Sequence, residues 1–330
     1  MLGSMADRER QAALVLGMHR SGTSAVAGAL RLLGADPPAT MLPPAPDNPS
    51  GFFEAFGAVG VNDWILRAGG AAWYDCLGFS GDQLEPQQRA IALALINLCL
   101  IGEFRNASLL LLKDPRLCLL LEYWLPVLQT SRIKPGALLV LRHPDEVVAS
   151  LARRDLCPAP VSAALWLHYM LTAEQATRAC PRAILLYDAL LDDWRGCLTR
   201  AGEQIAVSWP VASDLVAAGM RQFLDAGLRH HRRSEEQGTI RTGPPERWLN
   251  DVYQTLLALT HWDGDARLLS RLDEIHADFS RWRRQHGRFL TAALLDGHPL
   301  RTQLFEDLPA GWEQVASEVA LKVSAASLGM

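Results

Sequence analysis

Ala12-Ala13-Leu14-Val15-Leu16-Gly17-Met18-His19-Arg20-Ser21-Gly22-Thr23-Ser24 is the stretch on which the fold turns. Its first five residues are an unbroken apolar run, the pattern of a strand buried on both faces of a parallel sheet. Ala25 to Leu33 then has helical composition and stops at Gly34. Strand, glycine-containing loop and helix together make a setting in which backbone N–H groups can surround an anion. Glycines let successive amides face one concavity, and the helix N-terminus adds partial positive charge. Ser21, Thr23 and Ser24 supply hydroxyl donors. A Walker loop carries lysine directly after its second glycine; here that position is Thr23, and the nearest cation is Arg20, inside the loop. The spacing therefore predicts a site for a compact anion flanked by arginine. The competing reading is a plain strand–helix turn with an incidental arginine.

Working outward, apolar runs recur at Leu109–Leu112, Ala137–Leu141 and Ala183–Tyr187. Between them lie segments of helical composition: Val59–Ala68, Pro86–Phe104, Leu117–Gln129, Asp145–Arg154, Val161–Ala179 and a last one reaching about Ile205. Strands alternating with helices predict an α/β fold, a P-loop-like parallel sheet flanked by helices. Pro37 to Pro49 carries six prolines and reads as loop. Beyond residue 206 no strand pattern appears, and Leu249 to Leu295 is helical in composition. The expected organisation is an α/β core over residues 1–205 and a helical C-terminal extension, 206–330, packed on it. That extension either shapes a ligand pocket or forms a homodimer interface.

Charge and composition narrow the partners. The net charge of −4 and the pI near 6.1 argue against nucleic-acid binding, which usually shows as a basic excess. Of 32 basic residues 29 are arginine, so the lysines Lys113, Lys134 and Lys322 stand out. Six scattered cysteines show no metal or disulfide spacing, and no carboxylate or histidine cluster has ligand spacing, so no metal is expected. The longest apolar stretch, Ile91–Ile101, contains Asn97 and is too short to span a bilayer. A cytoplasmic protein is expected.

In a doubly wound sheet ligands gather outside the carboxyl ends of the strands. Three polar clusters fall there: Lys113-Asp114-Pro115-Arg116, Arg142-His143-Pro144-Asp145 with Ser150 on the following helix, and Tyr187-Asp188. Arg20-Ser21-Gly22-Thr23-Ser24 resembles the 5′-phosphosulfate loop of the sulfotransferase superfamily. Arg142 to Ser150 is similar to its 3′-phosphate motif, an Arg-x-Pro-x-Asp run with serine eight residues after the arginine. Lys113-Asp114-Pro115 resembles an element of the bacterial and Golgi-type branches. Leu186-Tyr187-Asp188-Ala189-Leu190 is similar to a Tyr-Glu-Asp-Leu segment, and Asn48 to Glu54 resembles a segment of bacterial members. The matches run in the family's order over roughly residues 12–200.

The resemblance implies a sulfotransferase that uses 3′-phosphoadenosine 5′-phosphosulfate (PAPS) to sulfate an acceptor hydroxyl, with a carbohydrate or natural product favoured. It assigns Arg20, Ser21, Gly22, Thr23 and Ser24 to the 5′-phosphosulfate, Arg142 and Ser150 to the 3′-phosphate, and Tyr187 to the neighbourhood of adenine. Arginine's planar fork suits phosphate oxygens, and serine adds a neutral donor. Arg20 and Lys113 are the expected catalytic cations. Ala25 stands where the cytosolic branch has an adenine-stacking tryptophan, and Pro115 where that branch has its histidine base. Glu54, beside Phe52, Phe53 and Phe56 and so poorly solvated, is the candidate base, with a helix-capping or ion-pairing carboxylate as the alternative; His143 competes. Arg229 to Arg233 reads either as a clamp on the 3′-phosphate or as a solvated basic turn. A P-loop kinase or NTPase is the rival class, disfavoured by the missing Walker lysine. A non-catalytic protein on a decayed scaffold is disfavoured by the intact Arg20, Lys113 and Arg142.

Overall fold

The computed structural model describes residues 9–46, 48–224, 242–261 and 264–295. Four strands, β1 (Arg10–Leu16), β2 (Leu109–Lys113), β3 (Ile133–Leu141) and β4 (Arg182–Leu186), form one parallel sheet in the order β2-β1-β3-β4. Around it pack α1 (Thr23–Leu32), α2 (Phe56–Ala68), α3 (Pro86–Phe104), α4 (Leu117–Thr130), α5 (Pro144–Asp155), α6 (Ala159–Thr177), α7 (Tyr187–Asp192), α8 (Trp194–Gln204) and α9 (Ser213–Phe223). The predicted α/β class is the class observed.

Both faces of the sheet are covered, which is why its strands read as continuous apolar runs. Leu14, Leu16, Leu110, Leu112, Leu139 and Leu141 point into one core with Trp124 of α4 and Trp166 of α6. Ala13, Val15, Leu109, Leu111, Leu138 and Val140 point into a second, with Val26 and Leu30 of α1 and Leu198 of α8. The two sets alternate along each strand, as the pleat requires. With β2 and β3 on opposite sides of β1, the strand order switches direction at the β1/β3 boundary, the position at whose carboxyl ends ligands gather in sheets of this kind.

Several boundaries differ from expectation. The strand expected at Ala137 starts at Ile133. Pro135 and Gly136 are tolerated because β4 pairs with β3 only from Ala137, so the preceding residues hydrogen-bond on one side alone. Tyr187, expected at the end of β4, opens α7 instead. Helix α9 falls within the expected helical extension, where the sequence reading marks no separate helix; its Phe223 rests on α1 where Gly28 leaves room, since a Cβ there would lie 2.0 Å from the ring. The helical stretch 249–295 is divided into α10 (Glu246–Leu259) and α11 (Ala266–Leu295). Gly264 takes φ +92°, and Asp265 Oδ1 accepts the N–H groups of Arg267 and Leu268 to start the new helix.

Helix α11 packs on the core. Arg283 donates through Nη1 to the carbonyls of Leu77 and Phe79, both at 2.6 Å, and Thr291 donates to Asp75 at 2.6 Å. Gly287 sits against the same segment. The Arg229–Arg233 cluster lies outside the described residues. Among the described residues no helix is long and apolar enough to cross a membrane.

Two measurements check this packing. A Cβ on Gly287 would come within 2.7 Å of Leu77 Cβ and 3.0 Å of Leu77 O. Gly287→Ala is therefore expected to lower urea stability by about 1–3 kcal/mol, whereas Gly102→Ala, with open space around it, is expected to be neutral or stabilising by about 0.5 kcal/mol. His168 of α6 is buried, and burial first, then Arg283 and His276, hold its imidazole well below the usual value. The folded state thus takes up this proton less readily than the unfolded one. The associated stability is intact above the unfolded value near 6.5 and is lost as pH falls below it, by up to about 1.4 kcal/mol per pH unit. His168→Gln is expected to flatten that acid limb in denaturation curves taken between pH 6.5 and 5.

Candidate anion-binding active site

The loop after β1 is shaped by close approaches. Gly17 takes φ +151°, and a Cβ there would meet Val140 O at 3.0 Å and Thr23 Cγ2 at 3.1 Å. Its N–H donates to Cys118 Sγ at 3.1 Å. Gly22 caps α1 at φ +90° with the Tyr187 ring directly above it; a Cβ would lie 2.2 Å from the ring. Both glycines are therefore demanded by backbone conformation and by neighbours. The first turn of α1 carries no acidic residue, so its outward N–H groups keep their positive character. Ser21 is completely buried, and its hydroxyl finds no hydrogen-bond partner among the described residues. A buried, unpaired hydroxyl costs stability, on the order of 1–3 kcal/mol, unless a ligand meets it.

One flank joins the residues expected to hold the distal phosphate. Arg20 donates from Nε to Ser150 Oγ at 2.9 Å, and Arg142 donates from Nη1 to the Arg20 carbonyl at 3.0 Å and from Nε to Glu146 at 2.8 Å. The Arg142 guanidinium lies 5.0 Å from the centre of the Tyr187 ring. The structure thus brings Arg20, Gly22, Arg142, Ser150 and Tyr187 into one set of contacts drawn from four chain segments.

The other flank is an ion-pair network. Lys113, at the end of β2 and only 2% exposed, donates to Glu54 Oε1 at 2.5 Å and to Ser24 Oγ at 3.4 Å. Ser24 also receives a hydrogen bond from Asn48 (3.2 Å) and donates to the Phe52 carbonyl (3.4 Å), tying the proline-rich loop to α1. Glu54 Oε2 lies 3.9 Å from Arg116, which reaches Asp63 and Asp114 at 3.3 Å each. Burial opposes the Arg116 charge, and Asp114, then Asp63 and Glu54, more than offset it, raising its proton affinity. Asn62 locks Asp114 in turn, donating to Oδ2 at 3.0 Å while accepting from Trp124 Nε1 at 2.8 Å.

Two of the three aromatic residues expected around Glu54 are occupied elsewhere. Phe53, at φ +57°, turns into the second core against Phe223, and Phe56 is more than a third exposed. The carboxylate is buried among cations instead. His143, the competing base, caps α5 by accepting from Asp145 N at 3.2 Å and packs against Tyr253. Sequence reasoning passed over His19, Trp73 and Arg154. The His19 ring lies 4.4 Å from Trp73 and 5.9 Å from Tyr169, and the Arg154 guanidinium lies 5.6 Å from the Trp73 ring centre. His19 stood inside the loop motif and was open to notice; Trp73 and Arg154 have no spacing signal. No group of three His, Cys, Asp or Glu side chains that could hold a metal is found among the described residues. Neither a protein-family model nor a curated protein matches the chain.

Glu54→Leu leaves the Lys113 ammonium buried without its carboxylate, and a loss of about 3–5 kcal/mol is expected in urea denaturation. The double variant Glu54→Leu/Lys113→Met removes both charges and should recover most of that loss. A loss in the double variant equal to the sum of the losses in Glu54→Leu and Lys113→Met would show that the pair is not coupled.

Proposed function

We propose that the protein is a sulfotransferase that takes its sulfuryl group from 3′-phosphoadenosine 5′-phosphosulfate and delivers it to an acceptor hydroxyl, with a carbohydrate or natural product as the favoured acceptor. The observation that carries the proposal is a phosphate-type loop with no lysine after its second glycine, whose cations come instead from Arg20 inside the loop and Lys113 at the neighbouring strand end. A P-loop NTPase would carry the Walker lysine at the position of Thr23.

The chain's residues fit the donor's anionic groups. The buried Ser21 hydroxyl and the first N–H groups of α1 suit the 5′-phosphosulfate. Arg142 and Ser150, flanking Arg20, suit the 3′-phosphate. Tyr187, against Gly22 and Arg142, would border the adenine. When bound, the donor supplies an activated sulfuryl group on a phosphate oxygen. Transfer builds negative charge on that bridging oxygen, and preorganised cations facing it are the strongest available stabilisation. Arg20 and Lys113 take that role. Glu54 holds the Lys113 ammonium in place, so its first contribution is to orient the cation. Desolvation around Lys113 strengthens its interaction with developing charge.

A thermal-shift series checks the donor. Adenosine 3′,5′-bisphosphate at about 100 times its Kd should stabilise the protein by about 2.7 kcal/mol, well above the effect of ATP, ADP or AMP at equal concentration. Arg142→Ala should weaken the bisphosphate at least tenfold and leave AMP unchanged. Equal stabilisation by AMP and the bisphosphate, or a preference for ATP, would remove the basis for the assignment.

A further inference from the structure

The reading above accounts for the charge on the leaving oxygen but gives the acceptor's proton no destination. Glu54 is engaged with Lys113 and Arg116, and the His143 ring nitrogen caps α5. His19 is differently situated. It immediately precedes Arg20 in the loop, and although the residue as a whole is partly exposed, its Nε2 is withdrawn from solvent. Its Nε2 has no hydrogen-bond partner among the described residues. Trp73 and Tyr169 wall the ring, fixing its plane without using its nitrogens.

We propose that His19 is the general base for the acceptor hydroxyl. As the acceptor oxygen bonds to sulfur, the bond between sulfur and the donor's phosphate oxygen breaks. The hydroxyl proton passes to the His19 imidazole, and Lys113 neutralises the phosphate oxygen that leaves. No further reactant is required. The inference rests on the sulfotransferase reading and deepens it.

The surroundings of the ring favour this use. Burial first, then Arg154, Arg116, Lys113 and Arg20, keep the imidazole well below its ordinary value, so it is neutral and able to accept a proton near pH 7. The charged groups facing it come from every side. The loop brings Arg20, the β2–α4 connection brings Lys113 and Arg116 with their partners Glu54, Asp63 and Asp114, and α5 brings Arg154 with Asp155. The α6 side contributes the Tyr169 phenol, whose proton burial holds in place. An anionic donor at Arg20 and Lys113 cancels part of this positive field. Proton affinity of His19 therefore rises when the donor is bound, at the stage where a base is needed.

The test combines His19→Gln, which keeps a polar planar side chain, with side-chain NMR of the wild-type protein. Binding of adenosine 3′,5′-bisphosphate to His19→Gln, measured by calorimetry, should stay within threefold of wild type. Turnover of PAPS, with water and a panel of saccharide and phenolic hydroxyls as acceptors, should fall at least 100-fold in kcat. The acid limb of the rate profile should disappear with it. In labelled wild-type protein the His19 titration should move upward by a unit or more on saturation with the bisphosphate. Turnover within threefold of wild type with the same pH profile would overturn the proposal, as would an imidazole whose titration does not move on bisphosphate binding. Should His19→Gln not fold, the NMR titration decides alone. Absence of bisphosphate binding by the wild-type protein would remove the donor reading itself, an outcome distinct from tight binding with turnover indifferent to His19.

Discussion

Lys113 and Glu54 form an ion pair almost wholly withdrawn from water at the carboxyl end of β2. Removing two such charges from solvent costs several kcal/mol for each ion, and mutual attraction recovers that only with good geometry and further hydrogen bonds. The network around the pair supplies those bonds. Arg116 approaches the second carboxylate oxygen, Asp114 and Asp63 neutralise Arg116, and Asn62 with Trp124 fixes Asp114. Through Ser24 the pair also reaches the helix start and the loop from Asn48 to Phe52. Apolar residues could fill this volume at lower cost. Under the proposed function the pair meets a demand that apolar residues cannot, a fixed cation beside the loop that would hold the donor.

The fold was legible because the sheet is covered on both faces. Each strand leaves an uninterrupted apolar run, and each loop at a strand end leaves a short polar cluster. What escaped notice lies where local chemistry contradicts tertiary context. Pro135-Gly136 breaks the apolar pattern of β3, yet the strand continues through it because β4 has not begun to pair there. The α9 helix is amphipathic but buries only Met220 completely, and it was not marked out as a separate helix from the sequence. The site divided in the same way. Arg20, Ser21, Lys113, Arg142 and Ser150 were readable from motif spacing. Trp73, Asn62 and Arg154 come from separate elements and have no spacing to betray them. Glu54 was picked out by position, and of the two readings open for it the ion-pairing carboxylate is the one the contacts match, with Lys113 and Arg116 as partners while Phe53, at positive φ, packs in the second core.

Gly22 shows how the two halves of the sheet depend on each other. Its missing side chain admits the Tyr187 ring from the start of α7, and that ring lies against Arg142 from the end of β3. Arg142 in turn donates to the backbone of Arg20, whose side chain reaches Ser150 on α5. The loop following β1 is therefore held in shape by residues following β3 and β4, across the boundary where the strand order switches direction. A Walker loop carries its cation within itself. Here the positive charge is spread over Arg20, Lys113, Arg142, Arg116 and Arg154, which stand on separate elements.

That distribution constrains what the ligand can be. One lysine after a glycine loop meets the end of a linear phosphate chain, whereas cations on both flanks meet an anion with charge at two separated points. The Lys113 flank follows β2 and the Arg142–Ser150 flank follows β3, the strands on opposite sides of β1, with Arg20 linked to the second through Ser150. A donor with a 5′-anhydride and a 3′-phosphate matches that two-point arrangement. Under the proposed function an anion oxygen of that donor would complete the buried Ser21 hydroxyl, which has no partner among the described residues. The cost of the orphaned hydroxyl and of the buried ion pair falls on the free protein, and under the same proposal a doubly anionic donor would offset both at once.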